Sequence, residues 1–161
     1  MNAGAAACTA DLLLFLHADT RLPADADRLV QRATSSGHHW GRFDVAIDSP
    51  QRVMRIVEAL MNGRSRWTGI ATGDQALFVR RQIFEQIGGF TDMPLMEDID
   101  FSRRLKRKGA LAPLTTTVTT SFRRWEQHGP LRTILLMWAL RFLYWIGVGS
   151  YRLAKLYTIV R

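Results

Sequence analysis

Leu12-Leu13-Leu14-Phe15-Leu16, followed directly by His17-Ala18-Asp19-Thr20, is the stretch of sequence that decides the fold. An unbroken apolar run with polar residues at both ends is typical of a short strand buried on both faces of a parallel sheet. Further strand patterns occupy 40–48, 76–79 and 114–122, and helical patterns lie between them, most clearly at 49–63 and 96–108. Because strands alternate with helices, the sequence predicts an α/β domain whose sheet is flanked by helices.

The composition is that of a globular protein and excludes several other classes. The chain has 161 residues, of which 47% are hydrophobic and 22% are charged, and this balance excludes disorder along its whole length. Cys8 is the single cysteine, so an internal disulfide cannot form and nothing points to an oxidising compartment. The N-terminal residues lack the basic charge of a secretory signal. We therefore expect a cytoplasmic protein.

The net charge of +8 is distributed very unevenly along the chain. Residues 1–100 carry a net charge of −3, whereas residues 101–161 carry +11. This excess predicts an anionic neighbour for the last third, such as membrane headgroups, phosphates or nucleic acid, and the alternative is a solvated basic face. No helix-turn-helix, zinc or RNA-binding motif is present, so we expect no nucleic-acid partner.

The segment 131–161 is apolar and basic, and it predicts a helical tail distinct from a domain at 1–130. Two largely apolar stretches, 133–140 and 142–151, are separated by Arg141, which would cost roughly 2.5–3.5 kcal/mol at the centre of a membrane-spanning helix. Trp138, Tyr144 and Trp145 are residue types that favour a membrane–water interface. We expect peripheral attachment to the inner face of the cell membrane. The alternative is a helix packed on the sheet.

Two polar segments adjoin predicted strands and are candidate ligand sites. His17-Ala18-Asp19-Thr20 follows the first strand, at the place where ligands bind in open α/β sheets. An Asp there can hold a divalent cation, which in turn neutralises a diphosphate. Thr72-Gly73-Asp74-Gln75 precedes the strand at 76–79, and its glycine permits a ligand to approach the backbone closely. The alternative for the first segment is a helix-capping Asp, and the alternative for the second is an ordinary turn.

Two further segments carry concentrated charge. Glu97-Asp98-Ile99-Asp100 places three carboxylates at a helix start, where repulsion and burial can raise a pKa enough to make a general base. Its alternative is a solvated acidic cap favoured by the helix dipole. Ser121-Phe122-Arg123-Arg124-Trp125-Glu126 combines paired arginines with a tryptophan, which suits phosphate binding and stacking. Its alternative is a basic surface loop with a core tryptophan.

Together and in this order, the four segments resemble the family 2 glycosyltransferases, which are inverting enzymes with the GT-A fold. The match is to the bacterial subgroup whose strand ends in Leu-Phe-Leu-His-Ala-Asp-Thr, where His-Ala-Asp takes the place of the usual Asp-x-Asp metal motif. The resemblance covers 2–151 and implies part of a Rossmann-like nucleotide-diphospho-sugar transferase sheet with a C-terminal apolar helical segment. Family members have a nucleotide-binding portion before the metal motif that this sequence lacks, so we expect an N-terminally truncated chain.

The resemblance implies roles for the first three segments. Asp19 would bind Mg²⁺ or Mn²⁺ on the diphosphate of a nucleoside diphosphate sugar, and His17 stands beside it where an Asp is commoner. Asp98 would be the catalytic base, with Glu97 holding the helix start or an acceptor hydroxyl. The acceptor side would be lined by the turn residues, namely Gly73, Asp74 and Gln75.

The fourth segment resembles the Gln-x-x-Arg-Trp motif of processive relatives, with Ser121 in the place of Gln. By this resemblance Arg124 and Trp125 would bind the donor. The leading hypothesis is therefore an enzyme that transfers a sugar from a nucleoside diphosphate sugar to an acceptor hydroxyl, on a lipid or a glycan, with inversion. The alternatives are a truncated, non-catalytic glycosyltransferase remnant and a basic membrane-surface binding module.

Overall fold

A computed structural model describes residues 1–123 and 129–160 of the chain. These residues form five strands and seven α-helices. The strands are β1 (Leu12–Phe15), β2 (Thr20–Arg21), β3 (Trp40–Asp48), β4 (Leu77–Arg80) and β5 (Ala112–Ser121). The helices are α1 (Asn2–Ala7), α2 (Ala26–Ser35), α3 (Arg52–Thr68), α4 (Arg81–Gln86), α5 (Glu97–Lys106), α6 (Pro130–Trp145) and α7 (Ser150–Val160). A 3₁₀ turn at Gly73–Gln75 precedes β4.

The strands form one mixed sheet in the order β1-β4-β3-β5-β2, which confirms the predicted α/β class. Only β3 and β5 are parallel neighbours, and every other adjacent pair is antiparallel. The prediction that β1 belongs to a parallel sheet is therefore wrong. Its apolar run reflects burial on two faces, since Leu13 joins the core on one side of the sheet and Leu14 packs against the core on the other. Two-sided burial does not specify strand direction.

Helices cover both faces of the sheet. On one face, α4 and α5 contribute to an aromatic core in which the rings of Phe90 and Phe101 stack with centroids 4.0 Å apart. On the other face, α2 packs Val30 and Ala33 against Phe43 and neighbouring residues of the sheet. The two cores hold β1 and β4 in place, and the polar segments at 17–20 and 72–75 adjoin these strands.

Helix α3 continues through Asn62-Gly63, where the sequence predicts its end, and stops instead at Gly69 with φ 65°. The Asn62 side chain accepts a hydrogen bond from Val45 N (2.9 Å) and donates one to Val45 O (3.0 Å). Glu58 accepts another from the amide of Ile47. The helix therefore satisfies the backbone of β3 beyond the end of its pairing with β4, which covers an otherwise unpaired strand edge.

A buried charge network joins the same strand and helix. Arg42 is fully buried and donates to Ser65 Oγ (3.1 Å), to Asn62 O (3.2 Å) and to the Asp44 carboxylate. Asp44 also accepts a hydrogen bond from Arg66. Burial lowers the pKa of the Arg42 guanidinium, while the hydrogen bond to Asp44 opposes that shift. The network fixes α3 on the sheet.

The C-terminal segment folds as two helices, α6 and α7, between which Gly147 adopts φ 97°. Leu140 of α6 and Leu153 of α7 are buried together with Met96 and Ile99, which come from the start of α5. Within the described residues, no helix is long and apolar enough to cross a membrane. The packing joins α6 and α7 to the first turn of α5, where the sequence places two candidate catalytic residues.

Candidate functional site

Antiparallel pairing brings the first two polar segments together. Phe15 at the end of β1 pairs with Leu77 at the start of β4, so the residues after β1 lie beside the 3₁₀ turn before β4. Ser102 of α5 then bonds to both the N–H and the carbonyl of Ala71, each at 3.1 Å, and draws α5 against the same turn. The segments at 17–20, 72–75 and 97–98 therefore meet at one end of the sheet.

His17 lies against the 3₁₀ turn and contacts two of its residues. Its Nδ1 is 3.3 Å from Asp74 Oδ1, and its ring packs so closely on Gly73 that a Cβ there would collide with it. The hydrogen bond to Asp74 raises the pKa of the His17 imidazole above its usual 6.5, and burial opposes the rise. In this geometry His17 is a partner of Asp74.

Asp98 links α5 to the turn. Its Oδ2 accepts a hydrogen bond from Gly73 N at 2.9 Å, and its Oδ1 accepts one from Ile99 N at 2.8 Å. Asp100 lies apart from it, bound by Thr91 Oγ1 at 2.7 Å and by Arg104 at 2.8 Å. Of the two aspartates in this segment, Asp98 is therefore the one that contacts the turn.

Glu97 lies next to Asp98 and is half-buried. Burial raises the pKa of the Glu97 carboxyl, and the charge of Asp98 adds to the rise. The preceding residue, Met96, is buried with φ 70°, a left-handed conformation that costs a non-glycine residue about 1–3 kcal/mol. Ala76, directly after the 3₁₀ turn, has φ 47°. Strained backbone of this kind clusters at functional sites and here flanks two candidate segments.

Gln75 differs from the other turn residues in its surroundings. It is fully buried, and its side chain accepts a hydrogen bond from Thr72 N at 3.2 Å and donates one to Asn62 Oδ1 at 3.3 Å. These contacts make Gln75 part of the framework that holds the turn on α3. Asp74 instead lines a cavity beside the turn.

A cavity of about 680 Å³ opens at this end of the sheet. Asp19 and Asp74 line it on one side, and Thr120 and Ser121 at the end of β5 continue the lining. Asp19 is exposed, and its carbonyl accepts a hydrogen bond from Ser121 N at 3.1 Å, which ties the loop after β1 to β5. The remaining lining comes mainly from α3 and α6.

The donor set at the cavity suits a hard divalent cation shared with a ligand. In the ranges 1–123 and 129–160, no three His, Cys, Asp or Glu side chains are grouped closely enough to hold a metal ion alone. Mg²⁺ at nucleotide sites is bound through one or two carboxylates together with substrate phosphates. Asp19 and Asp74 supply carboxylates of that kind, whereas Nδ1 of His17 already faces Asp74.

Two arginines that sequence reasoning did not predict also line the cavity, Arg64 on α3 and Arg141 on α6. Burial lowers the pKa of the Arg64 guanidinium to about 10, and the nearby charge of Arg141 adds to the effect. Burial also lowers the pKa of Arg141, while Asp98 and Asp74 oppose that shift. The signal in the sequence is the charged residue at 141 inside an apolar run.

The fourth predicted segment is only partly within the described structure. Ser121 ends β5 and lines the cavity, whereas Arg124 and Trp125 lie outside the described residues.

Comparison of this chain with models of known protein families and with curated proteins found no match.

Proposed function

We propose that this chain carries the metal- and acceptor-binding residues of an inverting glycosyltransferase, which moves a sugar from a nucleoside diphosphate sugar to an acceptor hydroxyl. The observation that supports the proposal most is the meeting of three sequence-distant segments around Gly73. His17 packs on that glycine, and Asp98 binds its N–H. Asp74 joins them through His17 and lines the cavity together with Asp19.

In the proposed reaction, the acceptor oxygen attacks the anomeric carbon from the side opposite the diphosphate. The new glycosidic bond forms as the bond to the diphosphate oxygen breaks, which inverts the anomeric centre. Asp98 receives the proton of the acceptor hydroxyl. Asp19 would hold Mg²⁺ or Mn²⁺, and the positive charge of the metal would stabilise the departing diphosphate.

The first test concerns Asp19. Asp19→Ala is expected to abolish the Mn²⁺-dependent binding of nucleoside diphosphates, measured by titration calorimetry with a panel of different bases, because it removes a metal-binding carboxylate. The matched control is Asp11→Ala, an exposed aspartate just before the opposite end of β1. Unchanged Mn²⁺-dependent binding in a folded Asp19→Ala protein would refute the assignment. The absence of such binding to the unaltered chain would count against the proposed function itself.

A second candidate function, attachment to a membrane surface, is favoured by an apolar stripe on α6. Leu135, Trp138, Phe142 and Trp145 are exposed, and their spacing of three to four residues places them on one face of the helix. Arg141 is turned into the cavity instead of interrupting this stripe. With the basic excess of the last third, the arrangement suits an interface with anionic lipid.

For this candidate we expect the protein to co-sediment with vesicles that contain anionic lipid. The Trp138→Ser and Trp145→Ser changes together should weaken vesicle binding by at least about tenfold, because they remove apolar surface from the interface. Leu22→Ser, at an exposed position between β2 and α2, is the control. Equal sedimentation of the double variant and the control would refute a membrane role for the stripe.

A further inference from the structure

The cavity described above combines two chemical environments. Its apolar lining includes Val57, Leu60 and Trp67 of α3, and Ile134 and Met137 of α6. Arg64 and Arg141 add two guanidinium groups from the same two helices. A ligand that fills this space meets hydrocarbon and positive charge together.

The two guanidinium groups lack part of the hydrogen bonding that burial demands. Among the described residues, Nε and Nη2 of Arg64 and Nε of Arg141 are buried and have no hydrogen-bond partner. The remaining polar contact of the Arg64 guanidinium is a long hydrogen bond of 3.5 Å to Ile70 O. Buried donors of this kind are costly to leave unpaired, and two neighbouring like charges repel. An anion in the cavity, which both side chains line, would offset that repulsion.

The apolar lining continues onto the surface without a partner. Trp67 is 90% exposed and Trp138 is 58% exposed, and Leu60 beside them is 53% exposed. All three line the cavity as well as facing solvent. A free phosphate would use the arginines but leave this apolar surface in water. A ligand with an alkyl chain would cover it.

We propose that this cavity binds an anionic amphiphile, a lipid phosphate whose head lies between Arg64 and Arg141 and whose alkyl chain lies along α3 and α6. Resting on the proposed glycosyl transfer, this ligand carries the acceptor hydroxyl on its head group. Asp19 and Asp74 line the same cavity, and the negative charge of Asp98 acts on both arginines.

The test is calorimetric titration of the whole chain with octyl phosphate below its micelle concentration, without donor or metal. Octyl glucoside and inorganic phosphate are titrated in parallel, as the uncharged amphiphile and the anion without a chain. We expect octyl phosphate to bind at least about tenfold more tightly than either. Arg141→Gln and Arg64→Gln should each weaken its binding by about tenfold or more, because each removes a charge-assisted hydrogen bond. Arg152→Gln, an exposed change on α7, should have no effect.

Leu60→Asn is a second test for the case in which an arginine variant fails to fold, because residue 60 is exposed and its substitution does not disturb the core. It should weaken the binding of octyl phosphate and leave that of inorganic phosphate unchanged. Equal affinity of the unaltered chain for octyl phosphate and inorganic phosphate would overturn the proposal, and so would unchanged octyl phosphate binding in a folded Arg141→Gln protein. If octyl phosphate fails to bind while Mn²⁺-dependent nucleoside diphosphate binding persists, the amphiphile proposal fails and the proposed transferase function stands.

Discussion

Asp98→Asn is expected to lower the turnover of a nucleoside diphosphate sugar by about 10²–10⁴-fold, with nearly unchanged affinity for metal and donor. An acceptor hydroxyl must lose its proton as the glycosidic bond forms, and the substitution removes the basicity of the group proposed to take it. The asparagine keeps one acceptor oxygen, so it can still bind either Gly73 N or Ile99 N. The measurement is the steady-state rate with an identified donor and acceptor.

Glu97→Gln is the comparison that decides between the two neighbouring carboxylates. The Glu97 side chain is half-buried, and this burial raises the pKa of its carboxyl, so Glu97 competes with Asp98 for the role of base. Near-normal turnover in Asp98→Asn with an inactive Glu97→Gln protein would assign the base to Glu97. Normal turnover in both would exclude the pair from proton transfer. Asp100→Asn, at the carboxylate held by Thr91 and Arg104, should leave turnover largely unchanged.

Asp44→Ala is expected to lower the free energy of unfolding by about 3–5 kcal/mol, measured by urea denaturation. Asp44 is the carboxylate partner of Arg42, whose side chain is 0% exposed, and it also binds Arg66. Among the described residues, its removal leaves the buried charge of Arg42 with the neutral partners on α3. Total stabilities of small domains are about 5–15 kcal/mol, so the loss is large enough to impair folding.

The control for this prediction is Asp48→Ala, four residues further along β3. Asp48 pairs with Arg21 at 2.8 Å, but the two side chains are 65% and 74% exposed. Solvent screens such a pair, so the expected loss is about 0–1 kcal/mol. Losses for Asp44→Ala and Asp48→Ala that agree within about 1 kcal/mol would contradict the assignment of the Arg42 network as a buried anchor of α3.

Local patterns predicted the secondary structure better than its arrangement. The strand at 40–48 has the predicted bounds, because its apolar and polar residues match a pleated strand. The helix at α3 runs past Asn62 because that side chain bonds across to Val45, and no local pattern contains that contact. Helix α1 and strand β2 were not predicted; β2 has two residues, and its partner β5 is about 100 residues away in the sequence.

The sequence predicted the acidic residues of the candidate site but not its two arginines. His17, Asp74 and Asp98 occur in short polar segments beside strands or at a helix start, and the structure brings these three residues together. Their chemical roles remain predictions. Arg64 and Arg141 belong to two helices whose facing sides are set only by packing, so their proximity has no signature in the linear sequence.

The contact between His17 and Gly73 also constrains how this sequence can change over evolutionary time. The backbone at Gly73 does not itself demand glycine, because its φ lies outside the left-handed region; the three atoms nearest to a Cβ built there all belong to the His17 imidazole. We therefore expect a side chain at position 73 to be disfavoured while histidine occupies position 17, and to be better tolerated once a smaller residue has replaced the histidine. Lineages that diverge at both positions are expected to change position 17 first, and the intermediate has then lost the contact between His17 and Asp74.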